Sequence, residues 1–321
     1  MSVASQPYSS IDAFLREPKT GNSLWHFFTK LVSIKKSHQL KRPEFINAGG
    51  KLLSMRIPQV MGIVNVTTDS FYGRSRHPSA EEAVRTAARM VEEGAGIIDV
   101  GGLSTRPGSV AIPEEEERRK VITAIKLIRR ELPHTILSVD TYRSSVARAA
   151  FYEAGADMIN DISGGTMDEG MIPLIVELNI PYVMMHIRGT PATMQENPVY
   201  NDVVTDILQW FGSRIPTLLE AGVKDIIIDP GIGFGKSTEH NFSIVNRLSE
   251  FGVLGLPVMA GVSRKSMIWR TLGCTPDESL NGTTTLNMAA LMNGADILRV
   301  HDVAEAVQTI ILFEKLKESA V

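Results

Sequence analysis

Cysteine is nearly absent from this sequence. Its 321 residues include one cysteine, Cys274, so no disulfide can form within the chain. Such usage is typical of proteins in a reducing compartment, and we expect a cytoplasmic location. The chain also lacks any apolar run near the roughly 18 residues of a membrane-spanning helix, and it begins without the basic flank and apolar core of a secretory signal. We therefore expect no membrane insertion.

Strong charge of either sign is lacking as well. The chain carries 33 Lys and Arg against 36 Asp and Glu, for a net charge of -3. This balance predicts no general attraction to nucleic acid or to an anionic membrane surface, so any basic site has to be local. The hydrophobic share of 43% and the charged share of 21% are ordinary for a globular protein. A chain of this length can fold as one α/β barrel.

Several signatures of catalysis and cofactor binding are missing too. Cys274 has no CxxC partner, the seven histidines form no HExxH motif, and no GxSxG motif occurs. The glycine-rich segment 229–237 ends in Gly-Lys-Ser like a nucleotide-binding P-loop, but Pro230 stands where the P-loop requires glycine. The sequence therefore gives no support to serine hydrolase, zinc protease or P-loop chemistry.

What the sequence does contain is a repeated unit. From residue 59 onward, a short apolar run ends in a polar residue, a glycine-containing loop follows, and then comes a longer amphipathic segment. The runs are too short for helices and too apolar for half-exposed strands, which predicts parallel strands buried on both faces. They span 59–64, 96–100, 135–139, 156–159, 181–185, 225–228, 257–262 and 295–300. Eight such units predict a closed (β/α)8 TIM barrel, with a doubly wound open sheet as the alternative.

Glycines and polar residues punctuate this repeat. Four glycines are predicted to end helices shortly before the next strand: Gly94, Gly155, Gly222 and Gly294. Polar residues follow or close the apolar runs: Asn65, Asp99, Asp140, Asn160, His186, Asp229, Ser263 with Arg264 and Lys265, and Arg299 with His301. One such residue is more often a helix cap or turn former, but eight strand ends converging on one barrel mouth predict a ligand site.

The residue types predict a site with two different ends. One end suits the edge of a flat heterocycle that carries N–H donors and a carbonyl, and its residues are Asp140, Asn160 and Asp229 with Lys265. The other end supplies cationic donors that suit phosphate, from Arg299, His301 and Arg106.

Seven segments, in chain order, resemble the dihydropteroate synthases. They are 61–71 (MGIVNVTTDSF), 99–108 (DVGGLSTRPG), 138–141 (SVDT), 159–162 (INDI), 229–236 (DPGIGFGK), 263–266 (SRKS) and 299–302 (RVHD). The similarity covers about residues 57 to 318, and the seven motifs are specific together although each is modest alone. The resemblance implies a transferase of folate biosynthesis on a pterin-binding barrel. In that reaction the amine of 4-aminobenzoate displaces pyrophosphate from 6-hydroxymethyl-7,8-dihydropterin pyrophosphate, giving 7,8-dihydropteroate.

The resemblance also implies a role for individual residues. The pterin would be held by Asp140, Asn160, Met185, Asp229 and Lys265. The pyrophosphate would meet Asn65, Arg106, Arg299 and His301, with Mg²⁺ as the cofactor and Asn65 as its ligand. The 4-aminobenzoate would lie against Phe71, Thr105, Pro107, Phe234 and Ser266. The catalytic residues would be Asp140, Asn65, Arg299, His301 and Lys265, with pyrophosphate leaving before the amine attacks. The family further implies a homodimer formed through the late helices and a target of sulfonamides.

The sequence departs from the family pattern at three single positions and in the first-loop stretch 72–77, and two other functions stay open. Thr68, Leu103 and Ile232 stand where proline, an acidic residue and phenylalanine are usual. A pterin-dependent methyltransferase domain that binds methyltetrahydrofolate would share the barrel, but it needs neither the Ser-Thr-Arg-Pro loop nor the Arg-Val-His segment. A silent pterin-binding protein would be expected to lose a residue such as Asn65. For the domains, we predict an N-terminal extension over 1–50 and the pterin-binding barrel over 51–321.

Overall fold

The chain folds into a barrel whose N-terminal end is covered by a hairpin. A computed structural model describes residues 42–66, 80–103 and 112–319. The hairpin pairs β1 (Phe45–Ala48) with β2 (Lys51–Ser54) in antiparallel fashion. The strands that follow are β3 (Gln59–Asn65), β4 (Ile97–Gly101), β5 (Ile136–Asp140), β6 (Met158–Asp161), β7 (Tyr182–Met185), β8 (Ile226–Asp229), β9 (Met259–Ala260) and β10 (Ile297–Val300). Each of the eight predicted strands is therefore present.

The eight later strands form one closed parallel sheet. Their order is β8-β7-β6-β5-β4-β3-β10-β9. The two ends of this order meet where Ile228 bridges Val258 in parallel, and the Ile228 amide donates to the Pro257 carbonyl at 2.9 Å. This closure confirms the predicted (β/α)8 barrel, and the doubly wound open sheet is excluded.

Helices separate the strands and cover the outside of the barrel. They are α1 (Ala80–Glu92), α2 (Glu114–Glu131), α3 (Ser144–Ala154), α4 (Met171–Leu178), α5 (Val203–Glu220), α6 (Thr238–Asn246), α7 (Ser266–Leu272), α8 (Leu280–Met292) and α9 (Val303–Glu318). Short 3₁₀ helices span Leu248–Leu254 and Asp277–Ser279. The glycines predicted to end helices have φ of 104° at Gly94, 76° at Gly155, 93° at Gly222 and 91° at Gly294. Residues other than glycine rarely adopt such positive values. In the described ranges, no helix is long and apolar enough to cross a membrane.

An apolar layer fills the lower barrel and joins it to the hairpin. Each of the eight strands gives one inward side chain: Met61, Ile97, Ile136, Met158, Val183, Ile227, Met259 and Ile297. The hairpin region adds Ile46, Ala48, Leu53 and Met55 to the same buried cluster. Full burial of such side chains stabilises the fold by about 1.5–3 kcal/mol each. The hairpin therefore acts as a plug that keeps water out of the barrel floor.

Ion pairs fasten this plug at its rim. Lys51 Nζ lies 2.8 Å from both carboxylate oxygens of Asp157, which also accepts from Arg129 at 2.5 Å and from the Leu137 amide at 3.0 Å. The hairpin turn is formed by Gly49 and Gly50, with φ of 61° and 87°. Residue 50, the predicted end of the extension, therefore lies in the turn of this hairpin.

Candidate active site

Polar side chains form the next layer of the barrel interior, above the apolar floor. Successive side chains of a strand point to opposite faces, so residues two positions beyond the floor also face inward. Counting two residues on from each floor residue gives Ile63, Asp99, Ser138, Asn160, Met185, Asp229, Gly261 and Arg299, of which five are polar or charged. The period of two thus places four of the predicted strand-end residues inside one barrel mouth, as the sequence predicts: Asp99, Asn160, Asp229 and Arg299.

An arginine and two carboxylates form the centre of this layer. Arg299 donates from Nε to Asp99 Oδ2 at 2.7 Å and from a terminal nitrogen to Asp140 Oδ2 at 2.5 Å. The Asn160 amide donates to the same Asp99 oxygen at 2.8 Å. Asp99 is fully buried, and its other oxygen, Oδ1, has no hydrogen-bond partner among the described residues. One buried carboxylate therefore orients two side chains that the sequence assigns to the site.

The charges of this centre shift the pKa of its groups. Burial raises the pKa of Asp140 to about 7, and Arg299 opposes that shift, while Asp99, Glu117 and Asp161 add to it. Burial lowers the pKa of Arg299, but the carboxylates of Asp99 and Asp140 outweigh burial, so this pKa is raised. Arg299 is therefore a permanent cation, and Asp140 changes its charge near neutral pH.

A second charged pair lies on the side of β8 and β9. The Asp229 carboxylate is buried and accepts from the Gly231 amide at 2.7 Å. Burial raises the pKa of Asp229, and Lys265 opposes that rise. Lys265 donates to the Ile232 carbonyl and lies 4.7 Å from the centre of the Phe234 ring. Burial lowers the pKa of Lys265 to about 8, with Asp229 opposing the change.

Apolar residues form a wall beside these charges. Met185 is buried in one cluster with Ile162, Ile187 and Met194. The partly buried side chains Tyr142, Met167 and Phe234 pack against that cluster. A flat ring system would find an apolar surface here and polar groups at its edges, which is the usual composition of a small-molecule pocket.

The remaining predicted residues lie at different places around the mouth. Asn65 ends β3 with an exposed side chain and pairs in register with Gly101. The Ser263 hydroxyl lies 3.0 Å from His301 Nδ1 and also accepts from the His301 amide at 3.2 Å. Ser266 is the first residue of α7. Four predicted site residues lie outside the described residues, namely Phe71, Thr105, Arg106 and Pro107, and so does Thr68.

Two strand-end residues serve the surrounding structure instead of facing the open mouth. Arg264 forms ion pairs with Asp302 at 2.7 Å and with Asp277 at 3.0 Å. His186 is buried and lies 3.1 Å from Lys236 Nζ through its Nδ1. Burial lowers the pKa of His186 to about 2, with Lys236 adding to the shift, so the ring is neutral.

The structure adds polar residues that the sequence does not single out. Glu117, in the acidic first turn of α2, is fully buried and accepts from the Thr141 hydroxyl and from Arg143, both at 2.7 Å. A run of four glutamates at a helix start is typical of an exposed face, so the sequence offers no signal for this burial. Lys236 lies inside a motif quoted above, yet its contacts depend on a loop approach that the motif does not encode.

The comparisons with known proteins agree with this geometry. Residues 61–301 match the model of a family described as pterin binding enzyme. The dihydropteroate synthase of Escherichia coli (strain K12) is 41% identical over 269 residues, covering 83% of this chain and 94% of that enzyme. This chain belongs to the dihydropteroate synthase family.

Solved structures of this family have the same fold. Xanthomonas albilineans dihydropteroate synthase with 4-aminobenzoic acid gives a TM-score of 0.80 at 39% identity, covering 85% of this chain and 98% of that one. Yersinia pestis dihydropteroate synthase in a sulfonamide drug complex gives 0.81 at 37% identity, covering 85% and 99%. The family match begins within β3 and ends at His301, so it contains the whole polar layer of the barrel.

Proposed function

We propose that this chain is a dihydropteroate synthase that joins 6-hydroxymethyl-7,8-dihydropterin pyrophosphate to 4-aminobenzoate and releases pyrophosphate. The observation that carries the proposal is one barrel mouth that combines the Asp99–Arg299–Asp140 centre with the Asp229–Lys265 pair, in a chain 41% identical to a named synthase. A pterin-dependent methyltransferase domain is less well supported, because the match covers 94% of the synthase from Escherichia coli.

The pterin binds, in this proposal, between the buried carboxylates and the apolar wall. Asp229 and Asn160 offer acceptors and an amide to the ring edge, and Lys265 offers a donor to a ring acceptor. The Asp229 oxygen that accepts from Gly231 leaves the second carboxylate oxygen for a ligand. Met185 supplies the apolar contact for the ring face, and Asp140 lies near the exocyclic methylene group.

The pyrophosphate occupies the cationic side of the mouth in the same proposal. Arg299 and His301 supply fixed donors, and Arg106 would add a third from outside the described residues. We propose that Mg²⁺ assists them, with Asn65 as its protein ligand. The described residues contain no group of three or more His, Cys, Asp or Glu that could hold a metal. A single exposed amide oxygen fits Mg²⁺, because this ion usually keeps waters and takes phosphate oxygens as most of its ligands.

The 4-aminobenzoate is proposed to lie outside the pterin, against Phe234 and the start of α7. The ring of Phe234 offers a flat apolar surface, and the Ser266 hydroxyl can donate to the carboxylate. Phe71, Thr105 and Pro107 would complete this slot. A sulfonamide would compete for the same place, and we propose that the chain is a target of such compounds.

The residues of the site favour loss of pyrophosphate before the amine attacks. The pterin ring can stabilise a methylene cation, and an ionised Asp140 beside it stabilises that positive charge. Arg299 and His301 stabilise the charge that develops on the leaving pyrophosphate, and a bound magnesium ion would neutralise more of it. The amine then attacks the cation and loses a proton, so the step requires no strong base or covalent enzyme intermediate.

One assay tests the proposal. The full chain is incubated with the pterin pyrophosphate and 4-aminobenzoate, with and without magnesium, and dihydropteroate is measured by chromatography. We expect product only with both substrates, and much less of it after chelation of magnesium. Tight pterin binding without product would support the silent pterin-binding protein. Binding of methyltetrahydrofolate in place of the pyrophosphate substrate would support the methyltransferase domain.

We also propose a homodimer in the cytoplasm. Large apolar side chains stand exposed on the late helices, and they include Leu272 of α7, Met292 of α8, and Ile311, Leu312 and Leu316 of α9. A group of this kind often marks a protein–protein contact. Light scattering after gel filtration is expected to give twice the mass of 35.2 kDa, and Leu312→Glu is expected to halve that value.

A further inference from the structure

Lys236 is a buried lysine that the proposed reaction does not use. It lies in the loop of residues 230–237 that follows β8, here called the β8 loop, and it is only 2% exposed. Its Nζ lies 2.9 Å from the Phe234 carbonyl oxygen, 3.3 Å from the His186 carbonyl oxygen and 3.1 Å from His186 Nδ1. A lysine in the interior without a partner would be strongly unfavourable, and these three contacts explain how its amine can be buried here.

The three acceptors match the three N–H donors of an ammonium group. Burial lowers the pKa of Lys236, and the nearby Asp229 carboxylate opposes that change. Because an ammonium group can only donate, we assign Nδ1 of the neutral His186 ring as the acceptor and its proton to Nε2. His186 directly follows β7, so this contact joins the segments that leave two neighbouring strands.

Further contacts join the β8 loop to the segment 186–201, here called the β7 loop. Gly231 has a φ of 70°, and a Cβ placed there would lie 1.9 Å from the His186 carbonyl oxygen. The Tyr200 hydroxyl donates to the Gly235 carbonyl at 2.8 Å. Gln195 Nε2 donates to the Gly233 carbonyl at 3.2 Å. The two loops are thus held in contact along their length, and the Lys236 Nζ atom lies within that contact.

The β8 loop carries two groups that shape the site. The Phe234 ring lies 4.7 Å from Lys265 Nζ, and the Ile232 carbonyl accepts a hydrogen bond from the same ammonium. We infer that Lys236, held by His186, is a positioning residue that fixes this loop and thereby places Phe234 and Lys265. The inference rests on the proposed function, because it is in that reaction that Phe234 and Lys265 meet the substrates.

Lys236→Met tests the inference, because methionine keeps the apolar stem and removes all three donors. Kinetics are measured at a temperature where urea and thermal unfolding show the variant to be folded. We expect kcat/KM for 4-aminobenzoate to fall by about 100-fold, as expected when a substrate group is displaced by about 1 Å. Both a higher KM and a lower kcat should contribute, because Phe234 contacts one substrate and Lys265 the other.

Lys51→Met is the matched control, because it makes the same substitution at a lysine that pairs with the buried Asp157 at the opposite end of the barrel. It should lower the free energy of unfolding and leave both kinetic constants unchanged. Wild-type constants for Lys236→Met would overturn the inference, and so would an equal kinetic loss in Lys51→Met. Tyr200→Phe, which removes only the bond to Gly235, should cause a smaller loss of the same kind. If Lys236→Met does not fold, Tyr200→Phe becomes the deciding variant. Unchanged kcat and KM in Tyr200→Phe would then refute the role of the β8 loop.

Nitrogen NMR of the wild-type protein gives a readout that does not depend on activity. The ¹⁵N shifts of His186 should report a neutral ring with its proton on Nε2 from pH 6 to 8. A proton on Nδ1 would remove the acceptor of Lys236 and refute the pair. If the wild-type protein made no dihydropteroate, the proposed function would fail, while this measurement would still test the contact itself.

Discussion

Asp99→Asn is the substitution that best tests how the barrel centre works. Asp99 Oδ2 accepts from Arg299 Nε at 2.7 Å and from the Asn160 amide at 2.8 Å. Asparagine has the same shape, but it lacks the negative charge, and its NH₂ group has to occupy the place of one of the two oxygens. In either orientation of the new amide, the hydrogen bonds from Arg299 and from Asn160 both weaken. Asp99 itself contacts no substrate in the proposed reaction.

The free-energy loss expected for Asp99→Asn depends on the ion pair that Arg299 retains with Asp140. Removal of one partner of a buried ion pair costs about 3–5 kcal/mol, and a hydrogen bond to a charged group contributes about 1.5–3 kcal/mol. Arg299 retains Asp140 at 2.5 Å in the variant, so the smaller range applies. A loss of about 2 kcal/mol corresponds to roughly a 30-fold decrease in an equilibrium or rate constant. We therefore expect kcat/KM for the pterin pyrophosphate to fall by about 30-fold.

Ser138→Ala provides the control for this substitution. Ser138 is the register partner of Asp99 on β5, and its hydroxyl is buried without a hydrogen-bond partner among the described residues. Removal of an unpaired hydroxyl should leave stability and kcat/KM nearly unchanged. Calorimetry with the pterin pyrophosphate and steady-state kinetics measure both variants. A wild-type affinity and rate in Asp99→Asn, or an equal loss in Ser138→Ala, would refute the positioning role of Asp99.

Three further predictions concern the charged residues of the mouth. Asp140 is neutral below its pKa of about 7 and anionic above it, so kcat/KM should rise with pH through about 7, and Asp140→Asn should abolish that limb of the pH profile. Asp229→Asn should weaken pterin pyrophosphate binding by about 2–4 kcal/mol, because a buried acceptor becomes partly a donor, and unchanged affinity by calorimetry would place the pterin elsewhere. Lys265→Arg should lose as much turnover as Lys265→Ala, since a planar guanidinium does not replace a point donor, and steady-state turnover near that of the wild type in the arginine variant would contradict this role.

The sequence predicts the barrel well because its signal is local and repeated. Each buried strand appears as a short apolar run, and each polar strand end follows from the rule that parallel strands present their carboxyl ends on one side. The hairpin at Phe45–Ser54 is the element that this approach misses. Its Gly49-Gly50 turn is a recognisable hairpin signal, but each flanking strand has only four residues, too few for a periodic pattern to stand out.

Pairings across the barrel are beyond a local signal. Arg299 and Asp99 are 200 positions apart in the sequence, and they meet because the last strand, β10, pairs with one edge of the first barrel strand, β3, while β4 pairs with its other edge. The Lys236–His186 contact needs two loops to approach within a distance that no single motif encodes. Sequence motifs therefore identify which residues belong to the site, while their partners have to come from the structure.

Small residues between the strands explain how these long side chains reach one another. Ser138 on β5 lies in register beside Asp99, and Asp140 two residues later lies in register beside Asn160, so the bond from the Asn160 amide to Asp99 spans β5 diagonally, with the small Ser138 on one side. A Cβ at Gly101 would lie 3.2 Å from Asp140 Cβ, tighter than ordinary packing permits, so the glycine leaves Asp140 room to meet Arg299. The polar centre therefore consists of charged residues that the sequence motifs identify and of small neighbours, Ser138 and Gly101, that leave space for them. A larger side chain at Ser138 or Gly101 would therefore displace Asp140 or Asn160. Its effect on the reaction could not be predicted from the chemical roles of the site residues alone.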